Sequence, residues 1–271
     1  MKKSAVIFFS TIFPMLLSAE TVRLIPSRDT DVYAFTGNPT SSTFSLGVST
    51  TPLSSSTLHS QKSLMEFDFS TTGIPASEIK SAVLRLFILP TDPAYGTLTP
   101  GDVHLHVQGK SWGSSPNWSS FDPQEKIGLI PASSISDGQW VELDITHAVK
   151  NWVSGTTANH GLVLKPLEDK MTPGLNVSFA ASETEEDGLA PEIIITRLEV
   201  PPKLAIQSVG GVVSIEWPVA SSEGWTLYWA EDPAGPWEMW NEETATITTD
   251  VTAHRLVPAL SLTKAFFRLQ K

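Results

Sequence analysis

The sequence predicts an all-β protein: a jelly-roll-like antiparallel β-sandwich with one short helix, followed by a small immunoglobulin-like β-sandwich. Three observations lead to this prediction. Apolar and polar residues alternate in many short runs, which is the period of a half-buried strand. Only one stretch shows the spacing of an amphipathic helix. A pair of prolines, Pro201 and Pro202, separates two regions of different character, because proline stiffens the backbone and donates no hydrogen bond.

The helix lies in the most informative stretch, residues 140–164, which reads WVELDITHAVKNWVSGTTANHGLVL. Val141 and Leu143 alternate with acidic residues, as in a strand. The pattern then changes to helical spacing, with one apolar face made of Ile145, Ala148, Val149 and Trp152. Asp144 or Thr146 is suited to cap the start of this helix, and Gly155 is suited to end it. A strand resumes at Leu162.

The other strands of the first domain follow in order. Alternation predicts them at residues 22–26, 62–70, 81–89, 102–108, 127–130, 176–180 and 192–196. The Ser- and Thr-rich residues 37–60 are expected to form an ordered edge and loop, since Phe44, Leu46 and Val48 keep the alternation. The strand at 81–89 is apolar on both faces except for Arg85, whose expected partner is Glu66 or Asp68.

Three segments are predicted along the chain. Residues 1–19 have a basic start, an apolar run and small residues at the end, which is typical of a secretory signal peptide; a transmembrane anchor is the alternative. Residues 20–200 form the larger sandwich. Residues 201–271 form the smaller one, with strands predicted at 204–208, 212–217, 225–230, 238–240, 245–249 and 266–269.

Composition limits the classes of function. The chain has no cysteine, so disulfide bonds, cysteine nucleophiles and thiolate metal sites are excluded. The formal net charge is −11 and Lys and Arg do not cluster in the sequence, which argues against nucleic acid as a partner. The same charge argues against an anionic polysaccharide, unless a local basic patch or a bridging cation overrides it.

Aromatic residues in a loop are the first candidate site. Trp112, Trp118 and Phe121 lie in one Gly-, Ser- and Pro-rich segment and are the predicted carbohydrate-binding residues, because flat rings stack on sugars. The alternative is that these rings bury themselves to anchor the loop. In the second domain, Trp237 and Trp240 are the aromatic residues most expected to be exposed.

A metal site is the second candidate. Asp29 and Asp31, in a D-x-D pattern, are predicted to bind a structural Ca²⁺, which prefers carboxylate and carbonyl oxygens. A solvated turn is the alternative. His104 and His106 have the spacing to share a transition metal, although a polar outer strand face explains them equally well.

No catalytic residues are predicted, because the chain lacks the familiar hydrolase and metalloprotease motifs. Two carboxylates could still act as a glycosidase pair, and His147 or His160 could serve as the base of a lyase. These residues keep a glycan-cleaving enzyme open as an alternative.

Several of these stretches, taken in order, resemble one known family. DVYAF, SLMEFDFS, SAVLRLFI with Arg85, and the block W-V-x-L-D-I-T-x-x-V-x-x-W-x-x-G-x-x-x-N-x-G-L resemble the DNRLRE domain family, an alginate-type carbohydrate-binding module, over about residues 21–196. The resemblance implies a jelly-roll sandwich that is exported by bacteria and is not catalytic. Glu183 and Glu192 stand where that family usually has arginines. Residues 224–236 and the terminal FFRL resemble small C-terminal β-domains of secreted bacterial proteins.

The expected function is therefore the non-catalytic recognition of a polysaccharide or cell-surface glycan by a secreted or surface-bound protein. The smaller domain is expected to act as a spacer or to dock on other secreted or surface proteins. We expect no nucleic-acid partner and no membrane insertion once the signal peptide is removed. A structural or adhesive surface protein without sugar binding is the first alternative, and a polysaccharide-cleaving enzyme is the second.

Overall fold

The fold is taken from a computed structural model, which is nearly all β and confirms the predicted all-β class. It describes residues 6–8, 21–35, 45–91, 97–184, 188–198, 202–209, 212–219, 224–241, 247–250, 252–258 and 264–270. The chain divides into two compact units. The larger comprises Ala19–Leu198, and the smaller comprises Glu199–Lys271 together with Met1–Ser18.

The first strand, β1 (Val6–Phe8), belongs to the smaller unit and pairs in parallel with that unit's last strand. It lies within the predicted signal peptide, and the rest of residues 1–19 falls outside the described residues.

The larger unit is built from two antiparallel sheets. Its strands are β2 (Thr21–Leu24), β3 (Arg28–Tyr33), β4 (Ser45–Ser49), β5 (Gln61–Glu66), β6 (Ile79–Phe87), β7 (Val103–Gln108), β8 (Pro123–Ile130), β9 (Trp140–Asp144), β10 (Leu162–Pro166), β11 (Asn176–Ala180) and β12 (Glu192–Arg197). One sheet has seven strands in the order β11-β4-β5-β10-β7-β8, with β3 also paired to β5. The other has four strands in the order β2-β12-β6-β9.

The core of the larger unit lies between these two sheets. Every second side chain of these strands fills this core, because successive side chains of a strand point to opposite faces. Met65 and Phe67 reach it from the seven-stranded side, and Leu84 and Leu86 from the four-stranded side; all four are almost completely buried. The alternation in residues 62–70 groups Met65 with Phe67, whereas residues 81–89 are apolar on both faces, and the sandwich selects the face of Leu84 and Leu86 for the core.

The one α-helix among the described residues, α1 (Thr146–Val153), follows β9 as predicted. Ala148, Val149 and Trp152 are buried in the core, and the helix packs against β6. The Asp144 carboxylate accepts a hydrogen bond from the Thr146 N–H at 2.9 Å, next to the helix start. Gly155 has φ +72° just past the helix end, the left-handed conformation that glycine allows. No described helix has the length and apolar character needed to cross a membrane.

Three short 3₁₀ helices complete the larger unit, at Ala76–Glu78, Trp118–Ser120 and Ala132–Ser134. The second of them lies in the long connection between β7 and β8.

The smaller unit also contains two sheets of four strands each. Its further strands are β13 (Ala205–Val209), β14 (Val212–Pro218), β15 (Thr226–Ala230), β16 (Glu238–Met239), β17 (Ile247–Thr249), β18 (Ala253–Leu256) and β19 (Lys264–Gln270). The strand orders are β1-β19-β15-β16 and β13-β14-β18-β17. Residues from both sheets, among them Ile215, Leu227 and Phe267, form a single small core.

The predicted partner of Arg85 is wrong. Its guanidinium group binds Glu142 at 2.9 Å and also binds Glu192, while Glu66 pairs with Arg28 instead. The reason is strand order: β6 lies between β12 and β9, so their side chains flank Arg85, whereas β5 belongs to the other sheet.

Candidate functional site

The loop between β7 and β8, residues 109–122, folds back toward the sheet from which it starts. The Gln108 amide holds its two ends together, donating to the Ser120 carbonyl at 2.6 Å and accepting from the Asp122 N–H at 2.9 Å. Asn117 caps the short helix inside the loop by accepting a hydrogen bond from the Ser119 N–H at 2.9 Å. The loop is therefore an ordered part of the surface.

Trp112 anchors this loop. Its ring is only 6% exposed and packs with Leu64 and Val163, which lie on the outer side of the seven-stranded sheet. Its indole N–H donates to the His160 carbonyl at 3.2 Å, and the Arg28 guanidinium lies 3.9 Å from the ring centroid. The ring offers no free face to a sugar in this structure, so we remove Trp112 from the candidate binding residues.

Trp118 and Phe121 are placed differently. Both rings are partly exposed and meet edge to face, with 5.7 Å between their centroids. The Lys62 ammonium lies 4.2 Å from the centroid of Trp118 and forms an ion pair with Asp169 at 2.9 Å. These two aromatic residues, unlike Trp112, stand at the surface beside a lysine.

Further basic side chains share this outer side of the seven-stranded sheet. Directly paired residues of antiparallel strands point to the same side. Lys165 of β10 is paired with His104 of β7, and the next outward residue of β7, His106, is paired with Lys126 of β8. We call the resulting surface the basic face; it consists of Lys62, His104, His106, Lys126 and Lys165, with Trp118 and Phe121 beside it.

The positive groups of the basic face are close enough to affect one another. Burial lowers the pKa of Lys165, and the charges of Lys62 and Lys126 lower it further, against the opposite effect of Asp169. The Lys165 ammonium donates to the carbonyl groups of Pro166 and Leu167, at 2.7 and 3.2 Å, and has no ion pair within the described part of the chain. An anionic ligand would relieve this repulsion.

The two histidines of the basic face are neutral at neutral pH. Burial lowers the pKa of each, and Lys126 and Lys165 add to the effect. Their rings are stacked with centroids 6.2 Å apart, and His106 Nδ1 lies 3.0 Å from the Gln124 carbonyl oxygen. Among the described residues, no group of three or more His, Asp or Glu side chains could hold a metal ion.

Asp29 and Asp31 lie on β3, facing away from the basic face. Asp31 is completely buried, and its Oδ2 accepts a hydrogen bond from the Gly47 N–H at 2.9 Å. Burial raises the pKa of each aspartate to about 7, although hydrogen bonds oppose the shift. The solvated turn considered from the sequence is therefore wrong for Asp31.

The two glutamates that stand in place of family arginines have separate surroundings. Glu192 is buried on the four-stranded sheet, where it pairs with Arg85 and, at 3.4 Å, with Arg23. Its negative charge is thus balanced there and does not belong to the basic face. Glu183 follows β11 and lies beside Asp29.

In the smaller unit, the two tryptophans expected at the surface are both half-buried. Trp240 packs against the core, with its ring centroid 6.3 Å from that of Trp229 and 5.8 Å from that of Phe267. Trp237 stacks on the Arg268 guanidinium at 4.2 Å. Met239, between them, is 61% exposed.

The larger unit is thus a two-sheet sandwich whose outer surface carries partly exposed aromatic rings and basic side chains, groups that are suited to contact a carbohydrate. Comparison with known families agrees: residues 20–197, well over half of the chain, match carbohydrate-binding module family 96. The chain belongs to this family, and its function includes carbohydrate binding. No curated protein matches the sequence significantly.

The lysines of the basic face could not be recognised as a group from the sequence. Lys62, Lys126 and Lys165 are isolated in the sequence and come from strands β5, β8 and β10. Only the strand order β5-β10-β7-β8 brings them together, and this order cannot be read from alternation. In the sequence, Lys62 begins the predicted strand at 62–70, Lys126 precedes the one at 127–130, and Lys165 follows in the strand that resumes at Leu162, and these positions do not show a shared surface.

Proposed function

We propose that the larger unit binds a polysaccharide on the basic face, without cleaving it. Trp118 and Phe121 would stack against sugar rings, and Lys126 and Lys165 would bind acidic groups of the glycan. The observation that carries this proposal is the pair of partly exposed aromatic rings beside Lys62, on a sheet surface that also carries Lys126 and Lys165, two lysines without an ion pair among the described residues. Aromatic rings supply contact area, and the ammonium groups supply orientation and charge.

The local charge favours an acidic glycan over a neutral one. The whole chain has a net charge of −11, so an acidic polymer is repelled by most of its surface. On the basic face, however, Lys62 and Lys126 repel Lys165, Asp169 offsets only part of this repulsion, and a negative ligand would relieve the rest. This is the local basic patch that reverses the expectation drawn from net charge.

We also propose that the protein is exported and that its three segments have different roles. Residues 1–19 would direct secretion, residues 20–200 would bind the glycan, and residues 201–271 would act as a spacer or docking domain. A secreted or surface-bound location suits a protein whose ligand is an extracellular polymer.

The test is affinity electrophoresis and calorimetry of the protein against a panel of neutral and acidic polysaccharides. We expect binding to at least one acidic polymer. Trp118→Ala should weaken this binding about tenfold or more, because it removes the stacking surface.

Trp140→Ala is the matched control, since Trp140 is also partly exposed but stacks on Arg85 in the other sheet. It should bind the glycan as the wild type does. Failure to bind any polysaccharide would contradict the proposal and favour a structural or adhesive role. Shortening of the polymer during the assay would favour an enzyme instead.

A further inference from the structure

Asp31 carries an unsatisfied polar atom in the interior of the larger unit. The residue has an exposure of 0%, and its Oδ2 atom is bonded to the Gly47 N–H at 2.9 Å and to the Gln61 side-chain amide. Its Oδ1 atom is buried and has no hydrogen-bond partner in the described part of the chain. Buried polar atoms are nearly always satisfied, so this oxygen points to a missing ligand.

A second carboxylate lies on the same side of β3. Asp29 is two residues from Asp31 and accepts hydrogen bonds from the Ser182 N–H at 2.8 Å and the Ser182 hydroxyl at 3.1 Å. Asp29 feels the charge of Glu183, and Asp31 feels the charge of Asp29. Like charges therefore gather at this point.

The donors that reach the two aspartates do not balance their charge. Those found in the described ranges are backbone N–H groups, a hydroxyl, an amide and, at Asp29, the Glu183 carboxyl group, and none of them carries a positive charge. The nearby arginine on β3, Arg28, points to the opposite side and pairs with Glu66. Burying a carboxylate without a counter-charge is costly, and the usual solutions are a cation or protonation.

We propose that Asp29 and Asp31 bind a divalent cation of the Ca²⁺ type. The donor atoms are all oxygens, which is the preference of a hard cation. Because no third His, Asp or Glu of the described residues joins them in a metal-binding group, the remaining ligands would be backbone carbonyl groups and water. Ca²⁺ accepts such mixed, flexible coordination more readily than Mg²⁺ does.

The ion would act as a cross-link between segments that are distant in the sequence. Asp29 and Asp31 belong to β3, Gly47 belongs to β4, and Ser182 follows β11. Two of these strands, β4 and β11, form one edge of the seven-stranded sheet. In a chain without cysteines, a bound ion supplies a cross-link that disulfides cannot.

The test is thermal unfolding of the full chain after EDTA treatment, with and without added Ca²⁺, together with calorimetric titration of Ca²⁺. We expect one bound ion and a rise in Tm of roughly 5–10 °C when Ca²⁺ exceeds its Kd about a hundredfold. Asp31→Asn should lose this rise, because the amide keeps the size of the side chain and removes its charge.

Glu125→Gln is the control, since Glu125 is an exposed carboxylate elsewhere in the same unit, and it should keep the full rise. An equal rise in the wild type and in Asp31→Asn would overturn the proposal, as would the absence of Ca²⁺ binding in the wild type. If Asp31→Asn does not fold, Asp29→Asn takes its place with the same expected loss. The Ca²⁺-dependent rise should persist in Trp118→Ala, which separates this site from glycan binding.

Discussion

The two loop tryptophans show how much the surroundings of a residue decide its role. Trp112 and Trp118 are six positions apart in one loop, yet Trp112 is buried against Leu64 and Val163 while Trp118 is partly exposed beside Lys62. The sequence offered the same interpretation for both, because each is an aromatic residue in a Gly- and Ser-rich segment. Only the fold of the loop separates the anchor from the candidate contact.

Trp112→Ala should therefore reduce the stability of the larger unit. Truncating a buried tryptophan removes its apolar contacts and leaves a cavity, so we expect a loss of about 3–5 kcal/mol in the free energy of unfolding. Urea denaturation measures this loss. Trp118→Ala should lose clearly less in the same assay, since its ring is already partly in water.

The opposite result would revise the assignment of the two rings. If Trp112→Ala kept its stability but lost glycan binding, Trp112 would have to move out of its buried position to contact the sugar.

At the scale of elements, the helix and the inward faces of the strands were predictable, whereas the pairing was not. The helix α1 follows from apolar spacing, and the alternation in residues 62–70 groups the side chains that face the core; residues 81–89 are apolar on both faces and do not show which face is inward. Alternation does not say which strand lies next to which. That is why the partners of Arg85 were predicted wrongly and the lysines of the basic face were missed.

The turn before β10 gives a physical reason for the asparagine and the glycine in the N-x-G part of the family-like sequence block. Gly161 has φ +92°, and a Cβ atom there would lie 2.1 Å from the Met65 carbonyl oxygen. Asn159 donates to the Phe67 carbonyl at 2.7 Å and accepts from the Gly161 N–H at 3.0 Å. The N-x-G part of the block thus fixes the start of β10, the strand that carries Lys165.

Strand β7 gives the basic face a dependence on pH. His104 and His106 are neutral near pH 7, because burial and the charges of Lys126 and Lys165 lower their pKa, with Asp102 opposing the effect on His104. Lowering the pH below their folded-state pKa values charges them. Binding of an acidic glycan should then strengthen, and titrations at neutral pH and at a series of lower pH values measure the change.

The variant His104→Gln/His106→Gln should show little of this pH dependence, while His147→Gln, on the exposed side of α1, should keep it. A pH dependence that survives in the double variant would contradict this role of the histidines.

Protonation of the two histidines also affects the stability of the fold. Their folded-state pKa values lie below the unfolded value of 6.5, so the unfolded chain binds protons first as the pH falls. The histidines therefore contribute full stability above that value and less as the pH falls.

For the molecule as a whole, charge is distributed unevenly. The net charge of −11 describes a chain whose negative groups dominate, while one sheet surface gathers Lys62, Lys126 and Lys165. The net charge gives only the average over the chain and contains no information about position, so composition could not reveal this local surface. The overall fold class was predictable from periodicity alone, but the proposed binding surface depends on sheet order.

The most direct test of the account is to remove the positive charge of the basic face and measure binding to an acidic polysaccharide. We expect Lys126→Gln/Lys165→Gln to weaken binding at least tenfold at low salt, and to make the remaining affinity less sensitive to added salt.

Lys80→Gln, which removes an exposed lysine from β6 in the other sheet, should leave the affinity unchanged. We expect this contrast between the two sheet surfaces. Equal affinities in the wild type and the double variant would contradict it and place the glycan elsewhere on the protein.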